Sequence, residues 1–531
     1  MGISKWILFL FPLSLSAQPN RYFVSFKDKA NSSYSAGSPL QFLSQKSVDR
    51  RARENFAVTS EDFPVNAEYV SQVKATGAKT FYSSRWLNGV LIQTDPATAS
   101  AVGNLSFVSS VELVAPGAKL QGARISIKKK TEQSARTASN QNLQQLQMIG
   151  LDKMQALGYH GEGIDVAVFD GGFVGVNSLA AFQTIFTDGR LKETFNFVKN
   201  IPNVYSDDDH GEEVLSVLGG NSLGNYLGGA YLANFYLYET EDVTSEYRVE
   251  EYNWLFAAER ADSIGMDVIS SSLGYSTFDD PSMNYTMQDL DGKTAVITRA
   301  ARAAALRGII VVNAAGNVYD NVWTKILFPA DAQGILSCAS VDSNGLWSNF
   351  SLIGPTADGR IKPDVAALGS GTAVVSSSGS IVGQFGTSFS TPLIASLAIG
   401  LRQSLPQASA AEIYSRVINS CSLATHPNNQ LGYGIPNFTV AHDLTSFADY
   451  FVTYPNPVTF EQFKILFKNP SGAFSFTLFN SSGQLVMRVD DTMSWQNNPY
   501  AIDFSALSSG VYYARIETSG FSNTVRVVRI N

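Results

Sequence analysis

Residues 384–392 read Gln384-Phe385-Gly386-Thr387-Ser388-Phe389-Ser390-Thr391-Pro392 and run on into small and aliphatic residues from Leu393 to Leu401. This composition predicts a glycine-marked loop that turns sharply into a long helix, with Ser388 at the junction. A hydroxyl there is exposed, and the backbone N–H groups of a helix start have no partner within the helix. The helix end favours developing negative charge, so a serine at this point suits attack on a carbonyl. Gly386-Thr387-Ser388 alone also describes an ordinary turn with a serine N-cap. The rest of the chain decides between the two.

Two further junctions supply partners. Ile164-Asp165-Val166-Ala167-Val168-Phe169 reads as a short buried strand that delivers Asp170, followed by Gly171 and Gly172. A carboxylate on a glycine turn at the C-terminal end of a buried strand lies where open α/β sheets place their working groups. His210 follows Asp207-Asp208-Asp209 and opens a helical pattern, residues 211–218. Of the four histidines, His160, His210, His426 and His442, only His210 stands at such a junction. An Asp, a His and a Ser in that chain order form a known nucleophilic arrangement on α/β sheets. Strand-like runs at 164–169, 233–238, 267–271, 309–313 and 336–341 alternate with helix-like runs at 247–264 and 295–306. The pattern predicts a doubly wound parallel α/β sheet with helices on both faces.

Asp170-Gly171-Gly172, His210-Gly211 and the 386–392 run together resemble the three signature blocks of the subtilisin-like serine proteases. Ser272-Leu273-Gly274, Ala314-Ala315-Gly316-Asn317, Phe328-Pro329-Ala330 and residues 358–365 resemble the family's intervening segments, in order. The resemblance spans roughly residues 143–445. It implies a secreted serine endopeptidase in which Ser388 is the nucleophile, His210 the base and then acid, and Asp170 the group that orients the imidazole. It further implies that the oxyanion is held by the Asn317 side-chain amide and the Ser388 backbone N–H. Substrate is expected along Ser271, Ser272, Leu273 and Gly274 and along Ala314, Ala315 and Gly316. Leu327 stands where many members place a glycine at the floor of the primary specificity pocket, which would disfavour bulky aromatic P1 side chains. The alternative is a catalytically inactive cell-surface binding protein on the same scaffold. The carboxyl-type relatives, which use a glutamate in place of the histidine, are a further class. Intact Asp170, His210, Ser388 and Asn317 oppose both.

Two departures stand out. Gly171 replaces the family's usual Ser or Thr after the aspartate, and Glu212-Glu213 replace the usual Thr-His after His210-Gly211. With Asp207 to Asp209 these acids either favour the imidazolium and raise the acid limb of activity, or simply face solvent.

The 531 residues are enough for two to four domains. A net charge of −8 and the lack of a Lys/Arg stripe beyond Lys128-Lys129-Lys130 argue against a nucleic-acid partner. Lys5, the apolar run 6–13 and the small residues Ser14, Ser16 and Ala17 predict a signal peptide, residues 1–17. That run is too short to cross a bilayer, and no later stretch is long enough. Cys338 and Cys421 sit in apolar surroundings, as free thiols or as a disulfide. No histidine cluster suggests zinc. Catalysis needs no cofactor, the family's structural calcium is left open, and the metal ligands are unknown.

Residues 18–120 mix strand runs (22–26, 89–93, 107–114) with helix runs (66–75, 96–102), a small α+β unit. It resembles the inhibitory propeptide domain of these proteases, a partner that the enzyme itself often removes. The polar stretch 121–145 is the expected linker and cleavage region, and 146–448 the catalytic domain. Residues 449–531 change to alternating strand runs with Gly and Ser turns, an all-β sandwich. Tyr454-Pro455-Asn456-Pro457, residues 482–486 and 507–512, Arg526 and Arg529 resemble the sorting domain of type IX secretion cargo. That implies the secretion machinery as a second partner and a secreted or outer-surface location in a Gram-negative bacterium.

Overall fold

The computed structural model describes residues 19–117, 142–222, 224–318, 323–443, 451–459, 461–467, 472–493, 500–519 and 521–530. The expected signal segment and most of the expected linker lie outside the described residues.

The N-terminal unit comprises β1 (Asn20–Phe26), α1 (Gln45–Arg53), α2 (Ala67–Ala75), β2 (Lys79–Ser84), β3 (Gly89–Thr94), α3 (Pro96–Gly103) and β4 (Val108–Ala115). Its antiparallel sheet has the order β2-β3-β1-β4. Side chains of a strand alternate between faces. Tyr22, Val24 and Phe26 accordingly pack with Val73 and Val102 of α2 and α3, while Phe23, Leu91 and Val114 pack in a second core shared with the central domain. The sequence pattern finds every one of these elements except α1 and β2.

The central domain is built on seven parallel strands: β5 (Asp165–Asp170), β6 (Leu191–Asn196), β7 (Asn234–Glu239), β8 (Val268–Ser271), β9 (Ile310–Ala314), β10 (Leu336–Val341) and β11 (Val365–Leu368). Their order is β11-β10-β9-β8-β5-β7-β6. β5 and β8 to β11 are buried along their whole length, which is why they read as continuous apolar runs. From β5 the chain passes to the edge strand β6, returns to β7 between them, then crosses past β5 to β8 and winds outward the other way through β9, β10 and β11. The reversal falls between β5 and β8, and the crevice beyond their carboxyl ends is the expected site. The antiparallel hairpin β12 (Ser370–Val375) and β13 (Ile381–Phe385) leads into the long helix that begins at Thr387. Helices His210–Gly219 (α4), Thr387–Ser404 (α7) and Ala410–Asn419 (α8) cover one face, and Val249–Ile264 (α5) and Val296–Leu306 (α6) the other.

The C-terminal unit has two sheets. β14 (Phe451–Tyr454), β15 (Gln462–Phe467) and β18 (Tyr500–Asp503) form one, in the order β14-β15-β18. β16 (Gly472–Asn480), β17 (Leu485–Met493), β19 (Gly510–Thr518) and β20 (Ser522–Arg529) form the other, in the order β17-β16-β19-β20. Phe463, Ile465 and Ile502 from the first sheet and Phe474, Phe476, Leu478, Ala514 and Ile516 from the second share one core. The alternation read at 474–478 is this inward face. Among the described residues no helix is long and apolar enough to cross a membrane.

Candidate active site

Asp170 ends β5 with 1% of its surface exposed. Its Oδ1 accepts from Gly171 N at 2.8 Å and lies 2.7 Å from His210 Nδ1. Its Oδ2 has no partner among the described residues, at the position whose next residue lacks the family's hydroxyl. Gly172 has φ +154°, and a methyl group there would lie 2.4 Å from Asp208 N. Only glycine permits that approach, which presses the acidic run 207–209 onto the Asp170 turn.

His210 is the first residue of α4. Burial disfavours its imidazolium, but the charge and hydrogen bond of Asp170, helped by Asp208 and Glu213, outweigh burial and push its pKa up to about 9. The sequence left open whether Glu212 and Glu213 act on the histidine or face solvent. Neither faces solvent, since both are buried. Glu213 Oε1 accepts from Gln384 Nε2 at 2.8 Å, whereas Glu212 acts on Tyr226. Behind the pair, Glu239 is the register partner of Asp170. Burial, a hydrogen bond to Asp207 and the Asp207 charge push the Glu239 pKa up to about 9, so it is neutral at pH 7 and adds no charge there.

Gly386, φ +153°, turns the chain into α7, whose second residue is Ser388. Pro392 lies inside α7 and has no N–H to give to Ser388 O four residues back. That carbonyl accepts instead from Ser272 Oγ at 2.8 Å, and Ser388 Oγ donates to Ser272 O at 3.4 Å. The loop after β8 therefore clamps the serine. The His210 ring lies 5.7 Å from that of Phe389, beside the same turn. Asn317 Oδ1 accepts from Thr387 N at 2.9 Å and from Thr387 Oγ1 at 3.2 Å. Fixing the oxygen leaves the amide nitrogen facing Gly386, 3.6 Å from where a Cβ would stand. Gly316 N donates to Thr387 Oγ1 at 3.2 Å, so the loop after β9 is stitched to the same helix start.

Ser271 to Gly274 and Ala314 to Gly316 leave adjacent strands on either side of Leu327. Leu327 N donates to Ala315 O at 2.9 Å, and Phe328 exchanges backbone hydrogen bonds with Tyr275. A methyl group on Gly274 would lie 2.8 Å from Leu327 Cβ, and one on Gly316 2.6 Å from Leu327 Cγ. Leu327 thus fills the space between the two segments. Cys338 and Cys421 are free and buried.

A reversal-point carboxylate–imidazole pair and a serine at a helix start define an α/β hydrolytic enzyme of the serine type. The chain belongs to the subtilase family, whose model matches residues 161–434. A Peptidase S8 propeptide domain of Bacteroidota matches residues 21–136, and a secretion system C-terminal sorting domain matches residues 452–531. Subtilisin DY of Bacillus licheniformis is 28% identical over 291 residues, 54% of this chain and 93% of that protein. Subtilisin BL of Lederbergia lenta is 25% identical over 299 residues, 55% of this chain and 97% of that protein. The crystal structure of MycP1 from Mycobacterium smegmatis superposes with TM-score 0.48 and 20% identity over 59% of this chain and 88% of that one. The protein is a subtilisin-like serine endopeptidase with its propeptide, and its sorting domain makes it secreted or surface-attached.

Several contributors were not singled out from sequence. Thr387, Glu239 and Gln384 all shape the site, and the Ser272 hydroxyl holds Ser388 rather than only lining a substrate track. Pro392 was the signal for that last role, because an interior proline leaves a carbonyl in need of a donor.

Proposed function

We propose that Ser388 Oγ attacks the carbonyl carbon of a peptide bond while His210 Nε2 takes its proton. Asp170 fixes the tautomer through Nδ1–H and stabilises the imidazolium. The oxyanion accepts from the Asn317 amide and the Ser388 N–H. Collapse breaks the C–N bond, the amine leaves with the proton from His210, and the acyl group stays on Ser388. Water, deprotonated by His210, then cleaves the ester and restores the serine. The observation that carries this reading is the 2.7 Å Asp170–His210 contact at the sheet reversal, beside the Ser388 turn.

Leu327, wedged between Gly274 and Gly316, shortens the pocket that receives the side chain preceding the cleaved bond. The substrates are accordingly proteins and peptides with small or medium P1 residues. The N-terminal unit inhibits the enzyme until the chain cuts it away, and the sorting domain hands the precursor to the type IX machinery.

The test is casein hydrolysis by wild type and Ser388→Ala, with chain masses followed over time. Cleavage and loss of the N-terminal unit in wild type alone are expected. Cleavage that survives in Ser388→Ala would remove Ser388 from the mechanism.

A further inference from the structure

The connection from β7 to α5 carries Glu241 and Glu246, and Glu250 stands in the first turn of α5. One carboxylate oxygen from each lies within 4.8 Å of the others. Two other observations converge on the same spot. Glu250 is fully buried; its Oε1 accepts from Tyr247 N at 2.9 Å, and its Oε2 has no partner among the described residues. Tyr275, just past the segment Ser271 to Gly274, is 1% exposed with its hydroxyl also unpartnered. The charges that act most strongly on that hydroxyl are those of Glu250, Glu241 and Glu246, in that order, so it faces the cluster.

A carboxylate oxygen held from water with no donor is strongly unfavourable. A proton on Glu250 would relieve one carboxylate of the three. A divalent cation bonds all three and balances two charges. Arg248, the arginine within this segment, is turned elsewhere. Its Nε donates to Met283 O at 2.7 Å, its Nη1 lies 3.6 Å from Glu112 Oε1, and its guanidinium stacks 4.4 Å above the Tyr285 ring. The donor set is all oxygen, with neither imidazole nor thiolate, which selects a hard cation. Magnesium keeps several waters and takes one or two carboxylates, whereas calcium accepts about six to eight oxygens in a flexible shell. Three protein carboxylates with a hydroxyl beside them suit the larger ion.

We propose that Glu241, Glu246 and Glu250 bind a divalent cation of the calcium class, with the Tyr275 hydroxyl at the edge of its coordination sphere. The ion ties the β7–α5 connection to the loop that leaves β8. Both border the catalytic crevice, because a methyl group on Gly171, next to Asp170, would lie 2.9 Å from Val243 Cγ1 of this connection. The cation therefore holds the Asp170 turn and the substrate strand in one geometry.

Full-length Ser388→Ala protein, stripped with a chelator, allows the test without self-digestion. Calcium at a hundredfold excess over its Kd is expected to raise Tm by about 5 °C. Terbium is expected to bind in its place and to emit on tyrosine excitation. Glu241→Gln and Glu246→Gln, both isosteric and at partly exposed positions, should each weaken terbium binding at least tenfold, and Tyr275→Phe should dim the emission with affinity nearly unchanged. Absence of both the Tm rise and the emission overturns the proposal. So does binding of undiminished affinity in both glutamine variants, which would locate the ion elsewhere.

Discussion

His210 must be neutral to accept a proton, and its surroundings favour the charged form. Its pKa of about 9 means that kcat/KM of the free enzyme rises with pH through that value rather than near the ordinary 6.5. The direction of each neighbour's effect follows. Glu213→Gln keeps the shape that meets Gln384 but removes a negative charge acting on the ring, so the acid limb should move down by about half a pH unit. A pH profile of kcat/KM that does not move would exclude Glu213 as a source of the shift. Asn317 is a separate case, because its proposed partner is the oxyanion and not the proton. Asn317→Ala should lower kcat by about 100- to 1000-fold with little change in KM, the loss known for the corresponding amide in subtilisin, a relative. Asp170, His210, Ser388 and Asn317 were legible from sequence because each sits in a short local motif. The separate fates of Glu212 and Glu213 were not. Adjacent helix residues point in different directions, and only the hairpin β12–β13 determines which of them meets Gln384.

At the scale of elements, the proposed primary specificity pocket is the gap between the loops leaving β8 and β9, where Leu327 packs against Gly274 and Gly316. Replacing Leu327 with Gly should open the gap and raise kcat/KM for Phe and Tyr at P1 by roughly tenfold or more, since a buried methylene-rich contact contributes about 1–3 kcal/mol to discrimination. A P1 peptide library measures it, and preferential cleavage after Phe or Tyr by the unmodified enzyme would show that Leu327 is no plug. The core strands β5, β8, β9 and β10 were readable because burial on both faces demands an unbroken apolar run. β6, Leu191–Asn196, was not, since it is an edge strand with most of its length only half-buried and therefore carries Lys192 and Glu193. β11 spans only four residues, and β12 and β13 contain the Gly and Ser residues that usually mark turns. Helix α1 was missed for a different reason. Its sequence, Gln45-Lys46-Ser47-Val48-Asp49-Arg50-Arg51-Ala52-Arg53, reads as solvated charge, yet Arg50 and Arg51 are each 1% exposed.

At the scale of the molecule, those two arginines tie the N-terminal unit to the central domain. Arg50 and Arg51 of α1 and Arg85 of the N-terminal unit all pair with Asp262 at the end of α5. Arg51 also pairs with Asp62 at 3.1 Å, and Arg307 of the central domain reaches Asp62 at 2.8 Å. Glu259 accepts from Ser84 and from the backbone of Arg85 and Trp86. Burial alone would raise the Asp262 pKa, but Arg85, Arg50 and Arg51 outweigh it and hold that carboxyl well below the usual range. A depressed carboxylate stabilises the bound state above its ordinary pKa and loses that contribution only as pH falls through the depressed value. Mild acid at pH 5 should therefore leave this interface closed. A buried ion cluster is modest evidence of net stability, but removing one partner leaves charges buried without balance, at a cost of about 3–5 kcal/mol. Asp262→Asn should accordingly weaken the hold on the N-terminal unit by roughly a hundredfold to several thousandfold. Trypsin cleavage of the Ser388→Ala protein at Lys128–Lys130, followed by gel filtration, reads this directly. The fragments should co-elute at both pH 8 and pH 5 when Asp262 is present and separate at pH 8 in Asp262→Asn. Separation at pH 5 with Asp262 intact would mean that a group of ordinary acidity, not this cluster, governs release.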